Sequence, residues 1–191
     1  MAKSLDAFIA GLSRIDAKEF THARVANFLK QNPVEADSLS AYLHWEPTHY
    51  TRNLIHKSEL FELMAICWEV GQVSRIHNHA GQNCWMAVPI GRLLVQNYEV
   101  VKIDAATGHC QLREANQVEM NPAQPASVDP ALPIHAVLNP RQFNQRAASL
   151  HVYSRPYDRC LVYDLKQSSY CEVPLFYDTE YGKPAATQPP R

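Results

Sequence analysis

Gly71-Gln-Val-Ser-Arg-Ile-His77-Asn-His79 sets two imidazoles two residues apart at the end of a short glycine-led run. On a strand that spacing puts both rings on one face, where they can reach a single metal ion. A third histidine, His135, comes much later, inside Pro-Ile-His-Ala-Val-Leu, which also reads as a strand. Where two such strands face each other across a barrel, three neutral nitrogens converge on one side of an ion. An isolated pair of this kind equally describes two polar side chains on the wet face of a strand, so its surroundings have to decide.

The surroundings are β-rich. From about Glu46 onward, short runs of β-branched and aromatic residues are broken by Gly, Pro, Asn and Asp. They predict strands over 51–56, 61–68, 84–88, 92–101, 109–113, 134–138, 147–154, 160–165 and 170–177. Residues 121–133 hold four of the 13 prolines and read as irregular. Before Glu46 the period changes. Leu5, Phe8, Ile9, Leu12 and Ile15 recur at helical spacing behind Ser4, a candidate N-cap. A second helix is expected over 22–30 through Val25, Phe28 and Leu29, stopping before Pro33. A third is expected to start at Asp37 or Ser38 and to include Leu39, Tyr42 and Leu43. The expected organisation is one domain of 191 residues: a helical part over about 1–46, a β-barrel over about 47–182 and a mobile tail over 183–191. The fold class is mainly β, a barrel or double-sheet jelly roll with a few N-terminal helices packed outside.

Composition narrows the function. With 18 basic and 19 acidic side chains and no run of either sign, nothing favours nucleic acid or a membrane surface as partner. The opening MAKSLDAFIAGLSRID is too interrupted for a signal peptide, and no apolar stretch approaches the roughly 18 residues of a spanning helix. Five cysteines without a CxxC argue for a reducing, cytoplasmic setting and against a disulfide frame. A monomer is expected.

A second informative run is Ala148-Ser149-Leu150-His151-Val152-Tyr153. As a strand it places Ser149, His151 and Tyr153 on one face and Ala148, Leu150 and Val152 on the other. Alternation alone also describes a half-exposed strand. Further letters then join these two runs. Gly71-x5-His77-x-His79 followed by Gly91 has the spacing of a first cupin motif, and His135-x3-Asn139 fits the end of a second. With Tyr50-Thr-Arg52-Asn-Leu, Cys67-Trp68, Cys84, Ser149-Leu-His151-Val-Tyr153-Ser and Pro156-Tyr-Asp158-Arg-Cys160, the chain resembles the cysteine dioxygenases from Tyr50 to about Gly182.

That resemblance implies a cupin-type barrel holding one Fe(II) on His77, His79 and His135. It implies that Arg52 pairs with the substrate carboxylate and that Tyr153 lies beside the iron, with Ser149 and His151 completing a Ser-His-Tyr relay. Tyr50 could join Arg52 at the carboxylate or could be a core aromatic. Where most cupins have a glutamate after the second histidine, this chain has Cys84, the cysteine that eukaryotic-type relatives join to their tyrosine by a thioether; many bacterial relatives have glycine there. The second motif lacks its usual glycine near Leu132. A three-histidine site without a carboxylate leaves the ion its full charge and favours an anionic ligand such as a thiolate. The expected reaction is therefore L-cysteine plus O2 to cysteine sulfinic acid. Competing expectations are 3-mercaptopropionate or another small thiol as substrate, although such relatives usually have glutamine in place of Arg52. A three-histidine zinc hydrolase or a non-catalytic thiol-binding cupin are readings of another class. Cys67 is expected in the core, and Cys110, Cys160 and Cys171 have no metal-ligand spacing.

Overall fold

Helix α1, Leu5–Ser13, starts where Ser4 accepts a hydrogen bond from the Ala7 amide, and α2, His22–Gln31, starts where Thr21 does the same for Arg24. The computed structural model describes residues 2–186. The third helical segment differs from expectation: Ala36–Tyr42 is a 3-10 helix without a side-chain cap, and Leu43 lies beyond it. Its fully buried Leu39 stands three residues before the half-buried Tyr42, the spacing at which side chains of a 3-10 helix eclipse.

Thirteen strands follow among the described residues: β1 Thr51–Lys57, β2 Glu62–Trp68, β3 Ile76–His77, β4 Asn83–Ile90, β5 Leu93–Asp104, β6 His109–Met120, β7 Ala126–Ser127, β8 Ile134–Leu138, β9 Ala147–Ser154, β10 Arg159–Asp164, β11 Ser169–Pro174, β12 Thr179–Glu180 and β13 Lys183–Pro184. Seven form one sheet in the order β13-β12-β1-β2-β9-β4-β7. The other six, β10-β11-β6-β5-β8-β3, close on themselves through the β3–β10 pair.

Every residue of β2 is buried, and all of β9 but Ser154, because the first sheet is covered on both faces. Leu63, Ala65, Trp85, Leu150 and Val152 pack outward against Phe8, Leu12, Val25 and Leu29 of the helices. Met64, Ile66, Trp68, Met86, Val88 and Tyr153 point inward and meet Leu93, Val95 and Val137 of the second sheet. The helices thus pack outside the β structure, and the strand alternation sorts one face to them and the other to the interior. Trp85 donates its indole N–H to the His22 carbonyl at 3.0 Å, tying α2 to β4.

The tail expected to be mobile from Lys183 begins instead as a paired strand. Tyr181 and Gly182, at φ 53° and 76°, make the two-residue turn that folds β13 back on β12. Residues 187–191 lie outside the described residues. Gly91 occupies a turn that no side chain could share: at φ +72° a Cβ there would meet the Arg146 carbonyl at 2.4 Å.

Candidate active site

His77 ends β3 directly opposite His135 of β8. His79 reaches them by another route than the one its spacing predicts. The strand stops at His77, and Asn78 leaves it to bond β10: its amide donates to the Leu161 carbonyl at 3.1 Å, and its side-chain oxygen accepts from the Leu161 amide at 3.0 Å. That anchor turns His79 inward, where it is 2% exposed. The ring centroids lie 5.1 Å (His77–His79), 4.8 Å (His77–His135) and 4.8 Å (His79–His135) apart. One nitrogen from each ring falls within 4.8 Å of the others.

The chemistry of these nitrogens fits a metal ion. Nδ1 of His77 is paired to the Arg75 carbonyl at 2.8 Å, which leaves Nε2 for another partner. Both nitrogens of His79 and Nδ1 of His135 are buried without a hydrogen-bond partner, an arrangement that costs free energy until a ligand satisfies it. Burial pushes His77 down to about 4 and holds His79 and His135 well below the ordinary imidazole range. Neutral rings offer the lone pairs that metals take. Among the described residues no carboxylate or thiol joins the group.

Beside the triad opens a cavity of about 430 Å³ lined by Tyr50, Arg52, Arg75, His77, Cys160 and Phe176, among others. Arg52 sits on β1. Its amide donates to Asp178 Oδ2 at 2.8 Å and its Nε to the Phe176 carbonyl at 3.0 Å. Its guanidinium forms no ion pair among the described residues, although Asp178 lines the same cavity and the charge of Glu62 acts on it. Tyr50 lines this cavity and stacks on Trp68 with ring centroids 4.6 Å apart.

The inward face of β9 supplies a linear chain of hydrogen bonds. Trp68 Nε1 donates to Ser149 Oγ at 3.0 Å, Ser149 Oγ meets His151 Nε2 at 2.9 Å, and His151 Nδ1 meets the Tyr153 hydroxyl at 3.0 Å. Burial first, then the charge of Arg52, pushes His151 down to about 3, so the ring is neutral. The Trp68 indole can only donate, so the hydroxyl hydrogen of Ser149 is free to go to His151 Nε2. The ring proton then sits on Nδ1 and is donated to the Tyr153 oxygen. Tyr153 keeps its own hydrogen for a partner on the site side, where Cys84 also lies. Cys84 is the cross-strand partner of Tyr153, on β4, and both are buried.

The remaining cysteines divide by burial. Cys67, Cys110 and Cys160 are buried and Cys171 is exposed. Cys67 is a core residue as expected, with Asn53 Nδ2 donating to its sulfur at 3.8 Å. Two residues with no role assigned from sequence also face this interior. Glu62, at 0% exposure, accepts from the Tyr177 hydroxyl at 2.5 Å and lies 3.7 Å from Lys57 Nζ, while its Oε1 has no partner. An acid inside the otherwise apolar run 61–68 was the signal available for it. Tyr157 stands edge-on to Tyr153 at 5.3 Å and lies 6.3 Å from His79.

Comparison with known proteins bears on the same residues. The family described as cysteine dioxygenase type I matches residues 2–166. Cysteine dioxygenase type 1 of Danio rerio is 25% identical over 160 residues, 83% of this chain and 78% of the relative. The Rattus norvegicus protein of the same name is 26% identical over 155 residues, 80% and 73% of the two chains. The Homo sapiens protein is 26% identical over 142 residues, 74% and 68%. A Klebsiella pneumoniae protein with a double-stranded β-helix domain is similar in structure with TM-score 0.45 and 14% identity, over 61% of this chain and 81% of its own. The match over 2–166 takes in the three histidines, Arg52, Cys84 and the whole of β9. The chain belongs to the cysteine dioxygenase type I family.

Proposed function

We infer that the protein is a cysteine dioxygenase that holds one Fe(II) on His77, His79 and His135 and converts L-cysteine and O2 to cysteine sulfinic acid. The observation that carries this reading is three convergent imidazoles, with buried unpartnered nitrogens on His79 and His135, beside a cavity lined by His77 and Arg52, in a chain of this family. Ferrous iron, when bound, offers positions for a thiolate and for dioxygen and the electron exchange that lets the two react. Sulfur provides all four electrons that dioxygen requires, so no outside reductant enters the balance.

The chain's own residues would do the rest. Arg52 would hold the carboxylate at two points, as lysine could not. That hold fixes where sulfur lies and turns encounter into an intramolecular event. Tyr153 would give its hydroxyl hydrogen to oxygen or sulfur, held in line by His151, with Ser149 and Trp68 behind it. Trp68 and Tyr50 would form the apolar wall that keeps bulk water from the reacting atoms. What supports iron over hydrolytic zinc is that Arg52, Cys84 and the β9 chain would have no task in hydrolysis. The free cysteines support a reducing, cytoplasmic setting. No helix among the described residues is long and apolar enough to cross a membrane. A monomer with only small-molecule partners completes the reading.

The deciding experiment measures metal content together with oxygen uptake on adding cysteine, and follows the label from isotopic O2 into the product. Iron-dependent uptake with both labelled atoms in cysteine sulfinic acid is expected. Zinc-loaded activity without oxygen uptake would overturn the assignment.

A further inference from the structure

Arg52 is aimed by a stretch of chain that belongs to no strand. Residues 175–178 join β11 to β12 and form one wall of the cavity through Leu175, Phe176 and Asp178. Backbone bonds pin the stretch at each end: the Leu175 amide donates to the Asp158 carbonyl and the Asp178 amide to the Arg52 carbonyl, both at 2.8 Å. Between them the Phe176 carbonyl accepts from Arg52 Nε at 3.0 Å. Where that carbonyl stands therefore decides where the guanidinium points.

Tyr177 does not line the cavity; its ring packs against the inner core cluster. Its hydroxyl donates to Glu62 Oε2 at 2.5 Å and accepts from Lys57 Nζ at 3.2 Å. Glu62 stands Cα opposite Lys57 on β1 and Cα opposite Tyr153 on β9. It interrupts the otherwise apolar run 61–68, at 0% exposure and with Oε1 unpartnered. A carboxylate held out of water costs free energy that an apolar side chain would not, so packing does not account for it. Holding Tyr177 does, because a hydrogen bond to an ionised acceptor is about twice as strong as a neutral one. The contacts thus run from Glu62 to the Tyr177 hydroxyl, through one peptide unit to the Phe176 carbonyl, and on to Arg52.

We propose that Glu62 and Tyr177 are positioning residues for Arg52: their hydrogen bond fixes the Phe176 carbonyl, which aims the guanidinium at the substrate carboxylate. The inference rests on the cysteine dioxygenase reading and deepens it, since it puts part of the selection for carboxylate-bearing thiols in residues that touch no substrate.

The test compares Tyr177→Phe, which keeps the ring and removes the bond, with Glu62→Gln, which removes the charge and keeps an oxygen able to accept. Steady-state kinetics and anaerobic binding to the iron-loaded protein are measured for cysteine and for cysteamine, which lacks the carboxylate. Tyr177→Phe is expected to raise KM and Kd for cysteine by about three- to tenfold, the scale of one misaligned hydrogen bond. The change in kcat should be smaller, cysteamine should be little affected and Glu62→Gln should be milder. In an Arg52→Ala background Tyr177→Phe should weaken cysteine no further, because the group it acts through is gone. An unchanged KM for cysteine in Tyr177→Phe, equal losses for the two thiols, or a loss that adds in full to that of Arg52→Ala would overturn the proposal. A loss in Glu62→Gln without one in Tyr177→Phe would also overturn it and leave the acid acting by its charge alone. If the wild type takes up no oxygen with cysteine, the enzyme reading fails separately. The hold on Arg52 is then read from its Nε–H by NMR of the full chain before iron is added. Faster exchange of that hydrogen with solvent in Tyr177→Phe upholds the positioning, and an unchanged rate overturns it.

Discussion

Cys84 and Tyr153 stand Cα opposite Cα on neighbouring strands, both pointing into the barrel beside the three histidines. Cys84 lies five residues after His79, an odd offset that an unbroken strand would turn away from the metal site. The chain resets that phase at Ala80 and Gly81, both at positive φ, with the Gln82 amide closing a turn onto the His79 carbonyl at 2.8 Å. The sulfur therefore meets the tyrosine, and a thioether between them is expected to accumulate during turnover. The bond forms between sulfur and the ring carbon beside the hydroxyl, and dioxygen takes up the two hydrogens lost. Intact mass should fall by those two hydrogens in part of the protein incubated with iron, cysteine and air. A linked peptide should survive thiol reduction and be missing from Cys84→Ser. Only separate Cys84 and Tyr153 peptides after turnover would end the idea.

That turn also marks the boundary of what the sequence makes legible. The strand 147–154 is read to the residue because it alternates small or apolar side chains with the functional ones. His77 and His135 both fall on strands, but these are hydrogen-bonded neighbours and do not face each other across the barrel, a pairing that local sequence does not reveal. His79 is expected on the strand of His77 and is in fact placed by the Asn78 anchor to β10, a long-range contact with no local signature. The long hairpin of β5 and β6 runs well past its expected ends. Along β6 only Cys110 and Met120 are buried, so its exposed middle offers no apolar alternation to read. Tyr157 and Glu62 escaped because an isolated Tyr or Glu does not reveal from sequence that it faces a closed interior.

Removing the metal or one of its ligands is the most direct test of the centre. His77→Ala, His79→Ala and His135→Ala should each abolish activity and sharply lower bound iron, because each removes one of three protein ligands. Metal that binds only the folded chain, at a hundredfold its Kd, adds about 2.7 kcal/mol of stability. Chelation should then lower the melting temperature by about 5–10 °C. Full iron occupancy with normal turnover in His135→Ala would rule the triad out.

Arg52→Ala should act on substrates in proportion to their carboxylate. Losing a charged hydrogen-bond partner weakens cysteine by about 1.5–3 kcal/mol, roughly 10- to 150-fold in KM. Cysteamine should be a poor substrate for the wild type and lose little more in the variant. Equal wild-type turnover of cysteine and cysteamine would show that Arg52 does not select, and a marked preference for 3-mercaptopropionate would move the substrate assignment to that thiol.

The thiols should differ in reactivity with pH. Burial pushes Cys67 up to about 11, so its thiolate stays scarce at neutral pH, while Cys171 alone is exposed. Alkylation of the native protein near pH 8 should label Cys171 and spare the other four until denaturant is added. The raised folded-state value also fixes a sign. The stability that Cys67 contributes is present below 9.0 and declines as pH rises toward about 11. Cys67→Ala should flatten that decline in urea titrations, and rapid labelling of a second thiol in native protein would contradict the burial on which both expectations rest.

Ser149→Ala tests the chain of hydrogen bonds behind Tyr153. The serine is fully buried and serves two partners, accepting from Trp68 Nε1 and donating to His151 Nε2. Its loss strands an indole N–H and an imidazole nitrogen in the interior, which should cost about 1–3 kcal/mol for each group left unsatisfied. Urea unfolding measures that directly. The consequence for catalysis differs in kind. Without Ser149 nothing fixes the His151 proton on Nδ1, so the ring can take the other tautomer and accept from Tyr153. The hydroxyl hydrogen of Tyr153 then turns back to His151 and is lost to the substrate side. Iron content and cysteine KM should stay near wild type, since neither the triad nor Arg52 touches Ser149, whereas kcat should fall. Ser149→Thr keeps the hydroxyl and should restore kcat where its added methyl fits. A Ser149→Ala protein that is destabilised but turns over at the wild-type rate would leave the serine a purely structural task.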